Sequence, residues 1–398
     1  MNDTPTDAEE AARDLRAVLV TALERDGSLR TPPWRDAVSA VPRHVFLPAF
    51  YTTVDAPDGI TRYTPVSRDV DPHTWLRLAY ENTTWVTQLD HGASSASNGE
   101  PRAGTPTSSS TLPGVVVRML EDLDVPDRAD VLEVGTGTGY STALLCARLG
   151  ARYVTSVEHD ADLSSAAGER LAALGHRPRL IVGDGAEGSP DGGPYDRIIA
   201  TYSPGRVPGA WLAQARPGAV ILVSLVGGLD AYGYVKLHVH DGEARGWFID
   251  SEVSFMLSRE TRRPEIGPLM RAAVRARDDS GGLDTTLHPD LLDDPAFLWR
   301  AQLAMPGTTR LRLATDRAEG RWFLHPDGSW AALESGNDGA IRAYQGGPRS
   351  LWARLEATAT AWLSEGRPGL DRYGLTVTTE TNTVWLDDPG NPVGVLDD

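Results

Sequence analysis

Val131-Leu132-Glu133-Val134-Gly135-Thr136-Gly137-Thr138-Gly139-Tyr140 is the stretch that decides how this chain is read. An apolar run leads straight into a glycine-rich turn, and helix-forming residues follow from Tyr140 to Leu149. Glycine lets the backbone turn tightly and approach a ligand closely. Such turns join a parallel strand to its helix in nicotinamide, flavin and methyl-donor folds alike. Two residues separate the cases. A dinucleotide fingerprint needs glycine at its first, third and sixth places, and here the sixth is Tyr140. Glu133 stands at the strand end just before the turn, where a carboxylate would repel a pyrophosphate and attract a cation.

Further along, Glu158 follows the predicted strand Tyr153 to Val157, placed to accept from both ribose hydroxyls, with His159 beside it. Ile181-Val182-Gly183-Asp184-Gly185-Ala186 sets another carboxylate between glycines after a third strand, beside the expected adenine site. A cationic sulfonium, a ribose and an adenine are the parts of S-adenosyl-L-methionine. The candidate donor contacts are Glu133, Gly135, Thr136, Gly137, Tyr140, Glu158, His159, Asp184, Gly185, Ala186 and Thr201. The product would be S-adenosyl-L-homocysteine.

Strand and helix signals alternate outward from this core. Strands are expected at Ala129 to Val134, Leu180 to Val182, Arg197 to Ala200 and Val220 to Leu225, and helices at Val115 to Leu123 and Leu163 to Leu174. The pattern predicts a mostly parallel α/β sheet of Rossmann-like type. Gly233 to Ile249 breaks the alternation and predicts added antiparallel strands. Three regions result: an N-terminal helical cap, 1–106, with a mobile loop at 91–105 rich in Gly, Ser, Ala and Asn; the core, 107–258; and an α+β C-terminal region, 259–398, a candidate peptide-recognition domain. Asp7 to Arg25 reads as an amphipathic helix with Leu15, Val18, Leu19 and Leu23 on one face. Arg262-Arg263-Pro264 reads as a linker, and Asp327-Gly328 as a hairpin turn. Leu351, Trp352, Leu355, Ala359 and Trp362 form one helical stripe.

A formal net charge of -17 makes nucleic acid and anionic membranes poor partners. The single cysteine, Cys146, allows neither an internal disulfide nor a thiolate zinc site. With no apolar run long enough to cross a bilayer and no targeting signal, a cytoplasmic protein is expected. His238 and His240 alternate on a strand without acidic company, so no metal is expected. Asp387-Asp388 and Asp397-Asp398 read as solvated acidic surface.

In order and spacing, the three donor elements resemble the class I S-adenosylmethionine-dependent methyltransferases. Val41-Pro42-Arg43-His44-Val45-Phe46-Leu47-Pro48, Thr107-Ser108-Ser109-Ser110-Thr111-Leu112-Pro113 and Pro194-Tyr195-Asp196-Arg197-Ile198-Ile199 narrow the likeness to the protein-L-isoaspartate O-methyltransferases. The resemblance covers roughly Leu15 to Met256. The chain departs from the housekeeping repair enzyme at Leu112, where that family has glutamine, at the loop 91–105, and in about 140 residues past the point where the repair enzyme ends. These departures, with the serine run and Trp85-Val86-Thr87-Gln88, are similar to a branch that accompanies ribosomal-peptide biosynthesis: graspetides made by ATP-grasp ligases, lanthipeptides and lasso peptides. There the resemblance implies methylation of an ordinary aspartate in a modified precursor peptide, giving an aspartimide (succinimide) and then isoaspartate.

The chemistry asks little of the protein beyond placement, because a carboxylate is ionised at neutral pH and needs no general base. Ser110 and Thr111 are the candidate catalytic residues, their hydroxyls orienting the acceptor carboxylate, with Thr111 at the family's hydroxyl position. Their alternative role is capping the helix near Pro113. Ser109, Gln88 and Tyr202 are further candidates for substrate contact. No stable protein partner is implied. Two competing readings are an isoaspartyl repair enzyme and a noncatalytic peptide-binding scaffold.

Overall fold

The computed structural model describes residues 5–55, 60–92, 100–251, 253–258, 264–314, 318–336 and 340–396. Residues 93–99 of the expected mobile loop, Arg262-Arg263 of the expected linker and the tail Asp397-Asp398 lie outside the described residues. The N-terminal part runs α1 (Pro5–Arg25), α2 (Pro32–Ala40), β1 (Ala49–Asp55), β2 (Thr61–Ser67), α3 (Pro72–Ala79), β3 (Trp85–Leu89) and β4 (Pro106–Ser110). The middle runs α4 (Pro113–Asp122), β5 (Val131–Val134), α5 (Tyr140–Leu149), β6 (Val154–Glu158), α6 (Ala161–Ala173), β7 (Arg179–Val182), β8 (Tyr195–Ala200), α7 (Gly209–Ala213), β9 (Ala215–Val226), β10 (Tyr232–His240) and β11 (Glu243–Ile249). Then follow α8 (Ile266–Asp278), α9 (Pro295–Ala304), β12 (Thr309–Ala314), β13 (Ala318–Leu324), β14 (Trp330–Gly336), β15 (Ile341–Gly346), α10 (Leu351–Ser364), β16 (Tyr373–Val377), β17 (Asn382–Leu386) and β18 (Pro392–Val395).

These make a ten-stranded mixed sheet, in the order β18-β17-β16-β11-β10-β9-β8-β5-β6-β7, and two four-stranded sheets, β2-β1-β3-β4 and β12-β13-β14-β15. β5 lies parallel to β6 and to β8, and β8 lies parallel to β9, while β16 pairs antiparallel with β11 and β17. This is the parallel α/β core with added antiparallel strands that the alternation predicts. Every residue of β5 and β6 is buried, as expected of parallel strands covered on both faces.

The chain divides into two compact units. One holds Met1–Tyr202, Ala210–Leu222 and His238–Asp241; the other holds Ser203–Gly209, Val223–Leu237 and Gly242–Asp398. The limits drawn from sequence at 106 and 258 are therefore not the limits of the compact units.

In the first unit, β1 to β4 present the hydroxyl segment. Trp75 and Trp85 pack with Leu47, Phe50 and Leu78 beneath them. Each indole spends its N–H on a carbonyl, Trp75 on Leu47 at 2.6 Å and Trp85 on Leu78 at 2.9 Å, so both rings are buried without an orphaned donor. α1 corrects the expected stripe: Val18 is 67% exposed, and Ala12, Leu19, Val20 and Leu23 make the buried face. A helix turns 100° per residue, so Val20 replaces Val18 beside Leu19 and Leu23 after a small rotation of the buried arc.

In the second unit, Leu351, Trp352, Leu355, Ala359 and Trp362 are the buried residues of α10, as their spacing predicts. The six tryptophans after Arg259 are all at most 4% exposed, so they build core. His238 and His240 are both exposed, and no group of three or more potential metal ligands occurs among the described residues. No helix among them is long and apolar enough to cross a membrane. Leu355 is fully buried, so Leu355→Ala should cost about 2–5 kcal/mol of stability, read as a lowered midpoint in denaturant titration.

Candidate active site

The turn after β5 is held by three glycines at positive φ, Gly135 at 103°, Gly137 at 53° and Gly139 at 93°. Gly135 is also crowded: a Cβ there would stand 2.6 Å from the Thr201 hydroxyl. At Gly137 the nearest atom to such a Cβ would be the Ser109 carbonyl at 3.9 Å, so this part of the loop faces open space with β4 at its edge. Gly139 is the N-cap of α5, and a side chain there would press on Ala167 and Phe46. The loop's amides are anchored below by Val157, whose carbonyl accepts from Gly135 at 2.8 Å.

Glu133 is fully buried. Its Oε2 accepts from Thr142 at 2.5 Å and from Ser156 at 2.7 Å, and Ser156 exchanges a further bond with Thr136 at 2.6 Å. Its Oε1 has no partner among the described residues. Burial pushes the pKa of this carboxyl up; the hydroxyls of Ser141, Thr142 and Ser156 oppose that, and Glu158 adds to it. A buried carboxylate with one unpaired oxygen costs free energy until a cation meets it. That is the fit expected for the cationic end of the methyl donor.

Glu158, almost buried at the end of β6, accepts from the Gly137 amide at 2.8 Å and from the Asp160 amide at 3.1 Å. Two amides hold its carboxylate against the glycine loop, leaving lone pairs for ribose hydroxyls. His159 is exposed beside it. Asp184, half-buried after β7, accepts from the Ala186 amide at 2.8 Å, which fixes the Gly185-Ala186 turn. Gly185 is wedged: a Cβ there would meet Val134 at 2.7 Å and the Tyr202 ring at 3.4 Å. Tyr202 sits edge-on to Trp211, whose indole donates to the Gly185 carbonyl at 2.8 Å. Thr201 turns its hydroxyl inward to the carbonyls of Gly135 and Val134, and so braces the glycine loop. Tyr140, buried at the start of α5, has its hydroxyl pushed up to about 12 by burial.

The hydroxyl segment is strand β4, paired with β3 through Trp85–Ser110 and Val86–Ser109. It does not cap α4. The N-cap is Leu112, with no side-chain cap bond. Neighbouring residues satisfy the first amides instead: Thr84 accepts from Leu112 at 3.0 Å and Asn82 from Gly114 at 2.8 Å. The hydroxyls of Ser109, Ser110 and Thr111 make no hydrogen bond among the described residues, whereas Ser108 and Thr107 are engaged by Thr87 and Gln88. Gln88 itself is spent on Thr107 and Asp160.

Sequence reasoning passed over Arg43. It is fully buried, and its guanidinium donates to the carbonyls of Ala79, Glu81, Thr83 and Thr111 at 2.8 to 3.3 Å. Desolvation lowers its pKa to about 10, so it stays charged at neutral pH. The signal was present, since an arginine between Pro42 and His44 in an apolar run must find buried acceptors.

A family model for protein-L-isoaspartate(D-aspartate) O-methyltransferase matches residues 14–244, more than half of the chain. A protein-L-isoaspartate O-methyltransferase of Dictyoglomus turgidum is 31% identical over 228 residues, which span 57% of this chain and 83% of the relative. One of Hyperthermus butylicus is 28% identical over 245 residues, spanning 59% and 85%. The likeness to one of Ignicoccus hospitalis is 39% over 115 residues, 54% of that relative. A solved structure of a protein-L-isoaspartate O-methyltransferase superposes with a TM-score of 0.52 at 20% identity, covering 94% of this chain and all of the other.

Fold and site together define an S-adenosylmethionine-dependent class I methyltransferase. Within that class, the chain belongs to the protein-L-isoaspartate O-methyltransferase family, whose members methylate protein carboxyl groups. The fold likeness runs over 94% of the chain and so takes in most of the residues past Met256.

With the donor's cationic end against Glu133, the raised pKa of that carboxyl predicts proton-linked binding: between the ordinary glutamate value and the raised one, the ammonium would displace a proton. Titration with S-adenosyl-L-homocysteine in that range should release a proton, seen calorimetrically as an enthalpy that varies with the buffer's ionisation heat. Glu133→Gln should abolish the release and weaken binding at least tenfold. Binding unaffected by this substitution would place the cation elsewhere.

Proposed function

We propose that this protein esterifies the side-chain carboxylate of an ordinary aspartate in a ribosomally made, modified precursor peptide of the graspetide kind. The observation that carries the peptide-carboxylate part is the row of hydroxyls at the end of β4 and just past it, Ser109 to Thr111, unbonded among the described residues and adjoining the open side of the glycine loop. Leu112 at the family's glutamine position, the serine run and the insertion after β3 support the choice of a modified peptide over a damaged protein.

The donor supplies an electrophilic methyl group on a sulfonium. Everything else is placement by the chain. Glu133 and Glu158 hold the donor's ends, and the Gly135–Gly139 turn lets the backbone lie against it. The hydroxyls of Ser110 and Thr111 donate to one oxygen of the aspartate carboxylate, so that the other is aimed at the methyl. A side-chain carboxyl with a pKa of about 4 is already ionised, so no base is required. Holding both partners in line supplies the effective concentration. The new C–O bond forms as the S–C bond breaks, and the sulfonium becomes a neutral thioether. In the ester, the backbone nitrogen of the next residue attacks the side-chain carbonyl. Its proton leaves with the methoxide as methanol, and the five-membered succinimide remains to persist or to hydrolyse to isoaspartate.

The second reading, repair of isoaspartyl residues, is favoured by what the matched relatives are called. Mass spectrometry of two pools separates the readings: an ATP-grasp-cyclised precursor and a generic isoaspartyl peptide. We expect gain of a methylene and then loss of methanol on the precursor alone; reaction of the isoaspartyl peptide alone would establish repair, and reaction of neither would favour a scaffold. On the reactive peptide, Ser110→Ala and Thr111→Val should each lower kcat by about 10- to 100-fold while donor affinity holds. Unchanged kcat in both would remove the hydroxyls from the mechanism.

A further inference from the structure

Between the hydroxyl strand and the donor site runs a continuous chain of hydrogen bonds. The Thr107 hydroxyl, on β4, donates to Gln88 Oε1 at 2.8 Å and accepts from the His91 amide at 3.1 Å. Gln88 Nε2 donates to Asp160 Oδ2 at 3.2 Å. The other oxygen of Asp160 accepts from the Asp162 and Leu163 amides at 3.0 and 3.1 Å and so caps α6. The Asp160 amide donates to Glu158 Oε1 at 3.1 Å, while Glu158 Oε2 holds the Gly137 amide. The far side of this arm is tied down as well. Asp90, next to Leu89 at the end of β3, exchanges bonds with Thr105 at 2.8 and 2.9 Å, and the Arg102 guanidinium lies over the Tyr51 ring.

We infer that Gln88 is a positioning residue that locks the arm carrying the acceptor hydroxyls to the carboxylate that receives the donor's ribose. A glutamine amide suits this task because it accepts and donates on opposite edges of one rigid plane. Thr107 fixes its carbonyl edge, so its NH2 edge must face Asp160. Asp160 is pulled from two sides, by the α6 cap and by Gln88, and its amide then sets the height of Glu158 against the glycine loop. Donor affinity therefore depends on a residue with no place in the donor pocket. The dependence is reciprocal: whatever fixes β3 and β4 tightens the donor site, and a bound donor fixes the arm. This rests on the donor-site reading of Glu158, not on the identity of the peptide.

The test is a polarity swap read by calorimetry with S-adenosyl-L-homocysteine, which needs no peptide and so stands even if the proposed acceptor is wrong. Gln88→Glu sets two carboxylates against each other, and Asp160→Asn, which still caps α6, faces the Gln88 amide with another amide. Each alone should weaken binding about five- to tenfold. Together they restore a donor–acceptor pair with its direction reversed, the introduced asparagine amide donating to the introduced glutamate carboxylate, and binding should return to within about twofold. Gln88→Ala, which removes both bonds at once, should weaken S-adenosyl-L-homocysteine binding like the single variants. Overturning results would be Gln88→Ala with native affinity, or a double variant no tighter than the product of the two singles. Thermal unfolding of each variant separates lost folding from a lost lock: a double variant that melts normally yet stays weak counts against the proposal.

Discussion

A carboxylate buried without a cation is the constraint around which the first unit is organised. Glu133 ends β5 with no exposure, one oxygen satisfied by hydroxyls and the other without a partner among the described residues. Such a group destabilises the empty protein, and the fold tolerates it because its neighbours share the load: Thr142 from α5, Ser156 from β6, and Thr136 acting on Ser156. Other residues fix the turn that follows: Thr201, just past β8, braces Gly135, and Val157 holds its amide from β6. The glycines are therefore answers to a geometric demand, since a Cβ at Gly135 would stand on the Thr201 hydroxyl and positive φ would strain any other residue. The strain and desolvation concentrated here are repaid when a cationic ligand arrives, which is how binding energy becomes orientation.

Arg43 plays the complementary part for the acceptor side. A buried guanidinium with five donors needs several carbonyls, and it finds them at Ala79, Glu81, Thr83 and Thr111. The turn after α3 and the end of the hydroxyl segment are thus tied to one rigid fork. Thr84 and Asn82, on that same turn, carry the α4 amides that the serines would otherwise cap. Because those amides are served from elsewhere, the hydroxyls of Ser110 and Thr111 stay available for an acceptor. A side chain that had to cap a helix could not also follow a reacting carboxylate.

Much of this was legible in the sequence, and the boundary of legibility has a physical origin. Period and turn chemistry are local, so α5, the β13–β14 hairpin and the buried stripe of α10 follow directly from residue spacing. The candidate donor carboxylates stood out in sequence because Glu133 and Glu158 lie at strand ends and Asp184 lies between glycines. The side of α1 was misjudged by one residue in the arc, because Val18 and Val20 are equally apolar and only the packing surface chooses between them. The bonds of Arg43, and the link from Gln88 to Asp160 across 72 positions, are non-local, and no window of sequence contains both partners. The division into compact units escapes composition for the same reason, since segments on both sides of 202 alternate between them.

Methyl transfer to a carboxylate removes the usual reasons for an enzyme to place a histidine or a paired acid in its site. The nucleophile is already ionised, the leaving thioether needs no proton, and the charge disappears as the bond forms. Water solvates the carboxylate and the sulfonium better than their transition state, so an environment of fixed dipoles favours the reaction over solvent. The residues proposed for the acceptor side are accordingly unreactive ones, the hydroxyls of Ser110 and Thr111, on an arm tied down through the Gln88 amide. A net charge of -17 fits the same logic, since it draws a cationic donor toward the protein. In the proposed donor contact, the buried Glu133 would then meet that cation at short range.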